Sequence, residues 1–390
     1  MIKRIFIYTP SKYPRGGANA NYVQYLGSAL SFAGYETYIL CVPNRKDIDI
    51  KFDNGIELIP LTECSNKIYN YYFNRIGCWA EIKKYLSKFN AGENDLFIML
   101  GYNVHIAKGL LIYKKNHGLK LGIGILELFE EKDYGGSRHP KRSYKQTNFI
   151  NNELCPKYDI IFPISTYIEE YMKPSGVKQM VLPIMADVKE YSHIKIHKTF
   201  EKWKFIIPAN GKMKDNLKIM VQCFAQLSDS ELKKIEVHFC GIREETLAQY
   251  IDSSAYEKVK NAFIIHEWMD YEDLVRLYTQ IHFLLLVRST SRMTLANFPS
   301  KVPEVMCYGV VPIVSKVGDY TEYYLENSIN SIFVDGDSLE ESLQSVRKAL
   351  ELSETEYITL SKNAIQCVKT KFDYHVWAKP LQDAIDSIDV

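Results

Sequence analysis

Short apolar runs of strand length alternate with helical stretches along this 390-residue chain, and that alternation restricts the fold more than any other feature. The first run is Arg4-Ile5-Phe6-Ile7-Tyr8. Val23, Leu26, Leu30 and Ala33 follow at three- and four-residue spacing, which marks one face of a helix. Gly34 stops that helix, and 37–42 reads as the next strand. Further strands are expected at 56–61, 96–100, 121–126, 160–164 and 180–182. A second series gives strands at 205–208, 235–240, 262–265, 283–287, 310–314 and 331–334. Its helix faces are marked by Leu217, Met220, Val221, Phe224 and Leu227, and by Leu274, Leu277 and Tyr278. Helices that alternate with strands cover both faces of a parallel sheet, so the pattern predicts α/β domains of doubly wound type. A chain of this length exceeds what one hydrophobic core usually holds, and two such domains are expected. The first runs over 1–187, a polar, Lys-rich stretch at 188–204 is the linker, and the second occupies 205–373, with a terminal helix over 374–390.

Charge and cysteine usage narrow the function classes. A formal net charge of +1 argues against a nucleic-acid binder. The eight cysteines are scattered, without a CxxC pair or a Cys/His cluster, so no metal site is expected. No apolar run approaches the ~20 residues that cross a bilayer. The short apolar start lacks a signal-peptide core, and a reduced cytoplasmic compartment is expected.

Open α/β sheets bind ligands at the carboxyl ends of their strands, so the chemistry is sought in the loops that follow them. Asn210-Gly211-Lys212-Met213-Lys214 follows the first strand of the second series. Two lysines on a glycine-containing loop can neutralise a diphosphate as flexible point charges. The stretch 288–318 follows the run Phe283-Leu284-Leu285-Leu286-Val287 and opens a short helix at Ser300-Lys301-Val302-Pro303-Glu304. A helix start offers backbone N–H groups to phosphate. A carboxylate one turn in, Glu304, can accept both hydroxyls of a ribose diol. Arg288, Arg292 and Lys301 give this stretch more positive charge than a helix end needs. Gly16 and Gly17, after the first strand, allow close backbone approach to a ligand. The loop 138–145 is basic and interleaved with Tyr144, which suits either a solvated surface or an anionic membrane. An aromatic cluster at 69–73 suits core packing, sugar or lipid.

Taken in order, these motifs resemble a retaining GT-B glycosyltransferase of family four, of the bacterial surface-polysaccharide type. The start, YTPSKYPRGGANANYVQYLGSALSFAGYETYIL, is similar to that family's glycine loop, helix and second strand. Ile164-Ser165-Thr166-Tyr167-Ile168 resembles its serine after a late strand, and Pro183 and Asp187 resemble the segment that leaves the first domain. Gly211, Lys212 and Lys214 stand where the family grips the donor diphosphate. Pro299-Ser300-Lys301-Val302-Pro303-Glu304, followed by Gly309 and Pro312, is similar to its Pro-(Ser/Thr)-Lys-x-x-Glu…Gly-x-Pro signature.

The resemblance implies two Rossmann-like domains facing a cleft, with the terminal helix crossing back to the first. It also implies transfer of a sugar from a UDP- or GDP-linked donor, with retention and without a metal. The acceptor would be a glycan or a polyprenyl-linked glycan, met at the inner face of the plasma membrane.

The sequence departs from the family in two places. Ala296 stands where an earlier glutamate is common, in the manner of a branch that carries an arginine after the preceding strand, here Arg288. The first-domain loop that often holds a histidine reads Ile125-Leu126-Glu127-Leu128-Phe129. Glu127 there and His105 on a neighbouring strand-end loop are the catalytic candidates on that side, beside Lys212, Lys214 and Arg288. Gly16, Gly17, Gly211, Ser300, Lys301 and Glu304 are the donor-binding candidates. A non-catalytic GT-B protein that binds a glycan or partner, a GT-B nucleotide-sugar epimerase and a phosphorylase remain the alternatives.

Overall fold

The computed structural model describes residues 1–14, 17–43, 55–62, 77–134, 139–190, 192–208 and 214–388. The chain divides into two compact units, 1–185 with 374–390, and 186–373.

The first unit is built on a parallel sheet of β1 (Arg4–Tyr8), β2 (Glu36–Cys41), β3 (Ile56–Pro60), β4 (Asp95–Leu100), β5 (Lys120–Ile125), β6 (Ile160–Pro163) and β7 (Lys178–Gln179). The strand order is β3-β2-β1-β4-β5-β6-β7. Helices α1 (Ala18–Phe32), α2 (Cys78–Lys88), α3 (Val104–His117), α4 (Pro140–Phe149) and α5 (Thr166–Met172) connect the strands. Ile5, Phe6 and Ile7 of β1 and Leu96 to Met99 of β4 are fully buried. That burial on both faces explains why these strands read as continuous apolar runs.

The second unit holds β8 (Trp203–Pro208), β9 (Ile235–Cys240), β10 (Phe263–His266), β11 (Phe283–Leu286), β12 (Val311–Ser315) and β13 (Ile332–Val334) in the order β10-β9-β8-β11-β12-β13. Its helices are α6 (Leu217–Ala225), α7 (Asp229–Leu232), α8 (Glu244–Leu247), α9 (Ser253–Val259), α10 (Tyr271–Tyr278), α11 (Arg292–Ala296), α12 (Lys301–Met306), α13 (Leu339–Leu350) and α14 (Glu354–Cys367). Tyr357 of α14 donates its hydroxyl between the carbonyls of His282 and Gly309, at 3.2 and 2.9 Å, and so ties α14 to the starts of β11 and β12.

The expected strand at 180–182 is absent; β7 lies just before it, over Lys178–Gln179. The edge position demands no apolar run, so nothing in the composition marked it. The stretch 188–204 counts with the second unit. His197 N–H donates to Thr279 O at 3.0 Å, and the Lys198 ammonium to Ile281 O. These bonds hold it against the turn between α10 and β11, although its polar composition reads as a linker in sequence. The polar loop expected before Ser300 contains α11, whose Ser291 and Thr294 form a reciprocal capping box.

The terminal helix α15 (Tyr374–Asp386) belongs to the first unit and lies along α1. Leu381 and Ile385 are fully buried. Gln382 Nε2 donates to Ala33 O and the Tyr35 hydroxyl to Asp386 Oδ1, each at 3.4 Å. Truncating Leu381 would leave a cavity against α1. Leu381→Ala is expected to lower stability by about 2–5 kcal/mol in urea unfolding.

Candidate functional site

In both sheets the chain order reverses once, between β1 and β4 and between β8 and β11. Such a switch point leaves a crevice between two diverging loops, and open α/β sheets use it for ligands.

The loops and helix starts at the second unit's switch point carry Lys214, Arg288, Ser300, Lys301 and Glu304. Lys214 lies half-buried in the turn before α6, where the Asn216 side chain caps the helix by accepting from the Ile219 N–H. The same Asn216 side chain donates to Gly336 O at 3.3 Å, and its backbone N–H reaches Val287 O at 2.7 Å. The loops after β8, β11 and β13 are thereby stitched together. Gly336 has no alternative here, because a Cβ at that position would stand 1.8 Å from Arg288 O.

Arg288 is the tie at the centre. It is buried, its Nε donates to Asp215 Oδ1 at 2.8 Å, and Nη1 donates to Asn297 Oδ1 at 3.0 Å. Its backbone N–H meets Ser315 Oγ at 2.7 Å. Two donors of the Arg288 guanidinium, Nε and Nη1, are thus bound to protein acceptors. A guanidinium is planar and forked, and here the fork is engaged by Asp215 and Asn297, which fixes the loop after β11 against the one after β8.

Lys301 opens α12 and its ammonium donates to Pro208 O, the last residue of β8. It therefore stands at the root of the glycine-containing loop. Burial lowers its pKa, opposed by the charges of Asp215 and Glu304 and reinforced by Arg288. Ser300 takes helical angles before α12, and its hydroxyl makes no cap hydrogen bond. Glu304 faces one side of α10, where the Tyr278 hydroxyl approaches Oε1 at 3.4 Å and Tyr271 also bonds the carboxylate. Desolvation pushes the Glu304 pKa up to about 7, helped by Glu190 and resisted by Lys301 and the two tyrosines. The free protein thus holds a carboxylate that its surroundings do not favour in charged form, which is the state expected of a group awaiting a hydrogen-bond donor.

Ala296, where the resemblance leaves a carboxylate missing, is fully buried in α11. Gly211 and Lys212 lie outside the described residues, as do Gly16, Arg138 and the cluster at 69–73.

In the first unit, Gly17 precedes α1 with φ of 109° and open space where a Cβ would stand. His105 is exposed in the first turn of α3, its N–H bonded to Asn103 Oδ1 at 3.0 Å. Glu127 is half-buried beyond β5, and its carbonyl accepts from the Tyr102 hydroxyl at 3.2 Å. Thr9, Pro10, Gly101, Tyr102 and Asn103 line a cavity of about 200 Å³ at this unit's switch point. Sequence reasoning did not single out Asp215, Asn297, Ser315 or Gly336. Each acts through its contact with Arg288, and no local pattern signals such pairs. No group of three His, Cys, Asp or Glu residues able to hold a metal occurs among the described residues. No helix among them is long and apolar enough to cross a membrane.

Residues 189–366, within the second unit, match the family model described as glycosyl transferases group 1. No curated protein matches the chain. Among solved structures, sucrose-phosphate synthase from Thermosynechococcus elongatus is similar at a TM-score of 0.73 and 14% identity, covering 99% of both chains. A glycosyltransferase from Rickettsia africae gives 0.69 and 12%, covering 99% of this chain and 98% of the other. Anabaena HepE, solved in complex with UDP, gives 0.66 and 12%, covering 99% of this chain and all of its own. These likenesses establish the GT-B fold.

Two outcomes follow from this geometry. Asp215→Ala leaves the Arg288 guanidinium buried without its counter-charge. It is expected to cost about 3–5 kcal/mol in chemical denaturation, with much of the loss recovered in Asp215→Ala/Arg288→Met. Glu304 has a folded pKa raised above its ordinary 4.5, so it favours the folded state less as pH rises from 4.5 to about 7. Glu304→Gln should therefore melt above wild type at pH 8, with the gap closing below pH 5 in thermal scans.

Proposed function

We propose that this protein transfers a sugar from a UDP- or GDP-linked donor to a glycan or polyprenyl-linked acceptor, in bacterial cell-surface polysaccharide synthesis at the cytoplasmic face of the plasma membrane. The observation that carries the reading is Glu304, poised beside Lys301 at the switch point of the domain that matches glycosyl transferases group 1. A deprotonated Glu304 accepts the two ribose hydroxyls of the donor. Their hydrogen bonds replace the solvent that the site denies it. The complex of Anabaena HepE with UDP supports a uridine diphosphate donor.

Breaking the anomeric C–O bond spreads positive charge over the sugar ring and places negative charge on the leaving diphosphate. Lys301 and Lys214 are the described cations nearest that charge, and they act electrostatically. Lys212, on the adjoining loop, would add to them. Arg288 contributes by fixing the loop that presents Ser300 and Lys301. Charge neutralisation by lysines needs no metal in this scheme. Retention rests on the family resemblance, as does the placing of acid–base or orienting roles on Glu127 and His105.

One observation favours a second reading. Arg288 is occupied by Asp215 and Asn297, and Ala296 is core. A non-catalytic relative that binds a nucleotide sugar without turning it over would show the same two features.

Isothermal titration with UDP, GDP and CDP tests the proposal. One of them is expected to bind, and Glu304→Ala to weaken it by about tenfold or more, as for lost hydrogen bonds to a charged group. If none binds, or if Glu304→Ala binds unchanged, the donor site is misplaced. Turnover of the matching nucleotide sugar then separates the enzyme from the non-catalytic reading, and the anomeric coupling of the product reports retention.

A further inference from the structure

The second unit holds a cavity that the donor site does not use. It measures about 370 Å³ and lies between the loop that precedes β13 and the helices α13 and α14. β13 runs parallel to β12, so that loop lies at the amino ends of the strands. The donor loops follow β8 and β11, at the carboxyl ends and so at the opposite end of the sheet. Sites for small molecules have volumes of about 300 Å³ upward. Hydrogen bonds fix the wall that faces the two helices. The Glu326 N–H donates to Asn330 Oδ1 at 2.8 Å, the Ser331 hydroxyl to Glu326 O at 3.0 Å and the Ser328 N–H to Ser331 O at 2.7 Å. Two further bonds tie this loop to the helices. Lys348 Nζ of α13 donates to Ser328 Oγ at 3.1 Å, and Asn363 Nδ2 of α14 to Ile329 O at 2.9 Å. The walls are therefore formed before any ligand arrives.

The lining is apolar at its floor and polar at its rim. Ile332 and Leu360 are buried and form the floor with half-buried Leu352, and Ile329 stands beside them, 48% exposed. Thr355 and Thr359 lie one turn apart on α14 and bring hydroxyl groups. Thr359 Oγ1 donates to Thr355 O at 2.9 Å, which leaves its oxygen to accept. Asn363, a turn further on, adds an amide oxygen. Among the described residues, Lys348 and Glu356 are the two charges in the lining, and they cancel. Glu351 and Glu354, beside the turn that joins α13 to α14, are exposed and lie outside the lining. An anion would meet Glu356 and a cation Lys348, so the lining favours neither. A wholly apolar ligand would strip water from hydroxyl, amide and charged groups without replacing it. An uncharged molecule with one apolar face and a rim of hydroxyls satisfies both layers.

We infer that this cavity is an accessory saccharide site, which takes one ring of an uncharged glycan. The C–H face of a pyranose lies on Ile332, Leu352 and Leu360. Its hydroxyls donate to Thr359, Asn363 and Glu356 and accept from Lys348. A second hold on a glycan raises the local concentration of its free end at the same protein. The inference goes beyond the donor reading and stands apart from it, because it rests on none of the donor-site residues.

Methyl NMR of the full chain, labelled at Ile and Leu, tests it. The neutral probes are methyl β-glucoside, methyl β-galactoside and N-acetylglucosamine. Glucose 6-phosphate, glucosamine and cyclohexanol are the anionic, cationic and apolar controls. At least one neutral sugar is expected to shift the Ile329, Ile332 and Leu352 methyls saturably, with a Kd on the order of 1–10 mM. The controls should leave them in place at the same concentration. Thr355→Val/Thr359→Val keeps the shape of the rim and removes two hydroxyls, and should raise Kd about tenfold. Leu352→Trp fills the floor and should abolish binding. Its melting curve shows whether it folds, and Ile329→Ala, at an exposed position, weakens binding without disturbing the core. Saturating UDP should leave the sugar shifts unchanged. No shift with any neutral sugar at about 50 mM, equal shifts with the charged or apolar probes, displacement of the sugar by UDP, or binding untouched by the threonine and Ile329 variants would overturn the inference. Failure of every nucleotide in the earlier titration would leave it standing.

Discussion

The buried pair of Arg288 and Asp215 is the interaction on which the second unit's switch point depends. Its two residues come from loops that diverge from β11 and β8, the place where a doubly wound sheet opens. Diverging loops have no common ladder to hold them. A forked cation, bound to Asp215 on one side and Asn297 on the other, supplies the missing bond. Gly336 lets a third loop approach Arg288 O, and Ser315 takes the Arg288 N–H, so β12 and the segment after β13 are drawn into the same knot. The cost of burying a charge is offset only because every partner is in place. Lys301 and Glu304 inherit their positions from that arrangement.

That division of labour separates two kinds of charged residue that look alike in sequence. Arg288 is buried, with its Nε and Nη1 bound to its neighbours. Glu304 is held in surroundings that raise its pKa to about 7, and Lys301 in surroundings that lower its own. Groups whose charged forms are disfavoured in the free protein gain most when a ligand supplies hydrogen bonds or opposite charge. The site is therefore rigid where it needs geometry and electrostatically unsatisfied where it needs a ligand.

Much of the fold was legible because buried parallel strands are apolar on both faces. The runs at Arg4–Tyr8 and Phe283–Leu286 could be read directly. β7 escaped because an edge strand of two polar residues carries no such signature, and α11 because its capping box lies within a polar stretch. In the site, Ser300, Lys301 and Glu304 were legible as a local motif at a helix start. The sequestration of Arg288 was not, since Asp215 lies 73 residues away and a single sequence does not reveal such pairings. The environment of Glu304 was equally hidden, for Tyr271 and Tyr278 of α10 and Glu190 approach it from two other segments of the chain.

The central claim is that a nucleoside diphosphate settles at the β8–β11 switch point against the first turn of α12. Hydrogen–deuterium exchange in the presence of the nucleotide that binds tests this most directly, because it locates the ligand without altering a residue. The account predicts slower exchange in peptides covering 208–216 and 297–306, with β10 and α14 unchanged. Protection confined to the first unit, or spread evenly over the second, would contradict it.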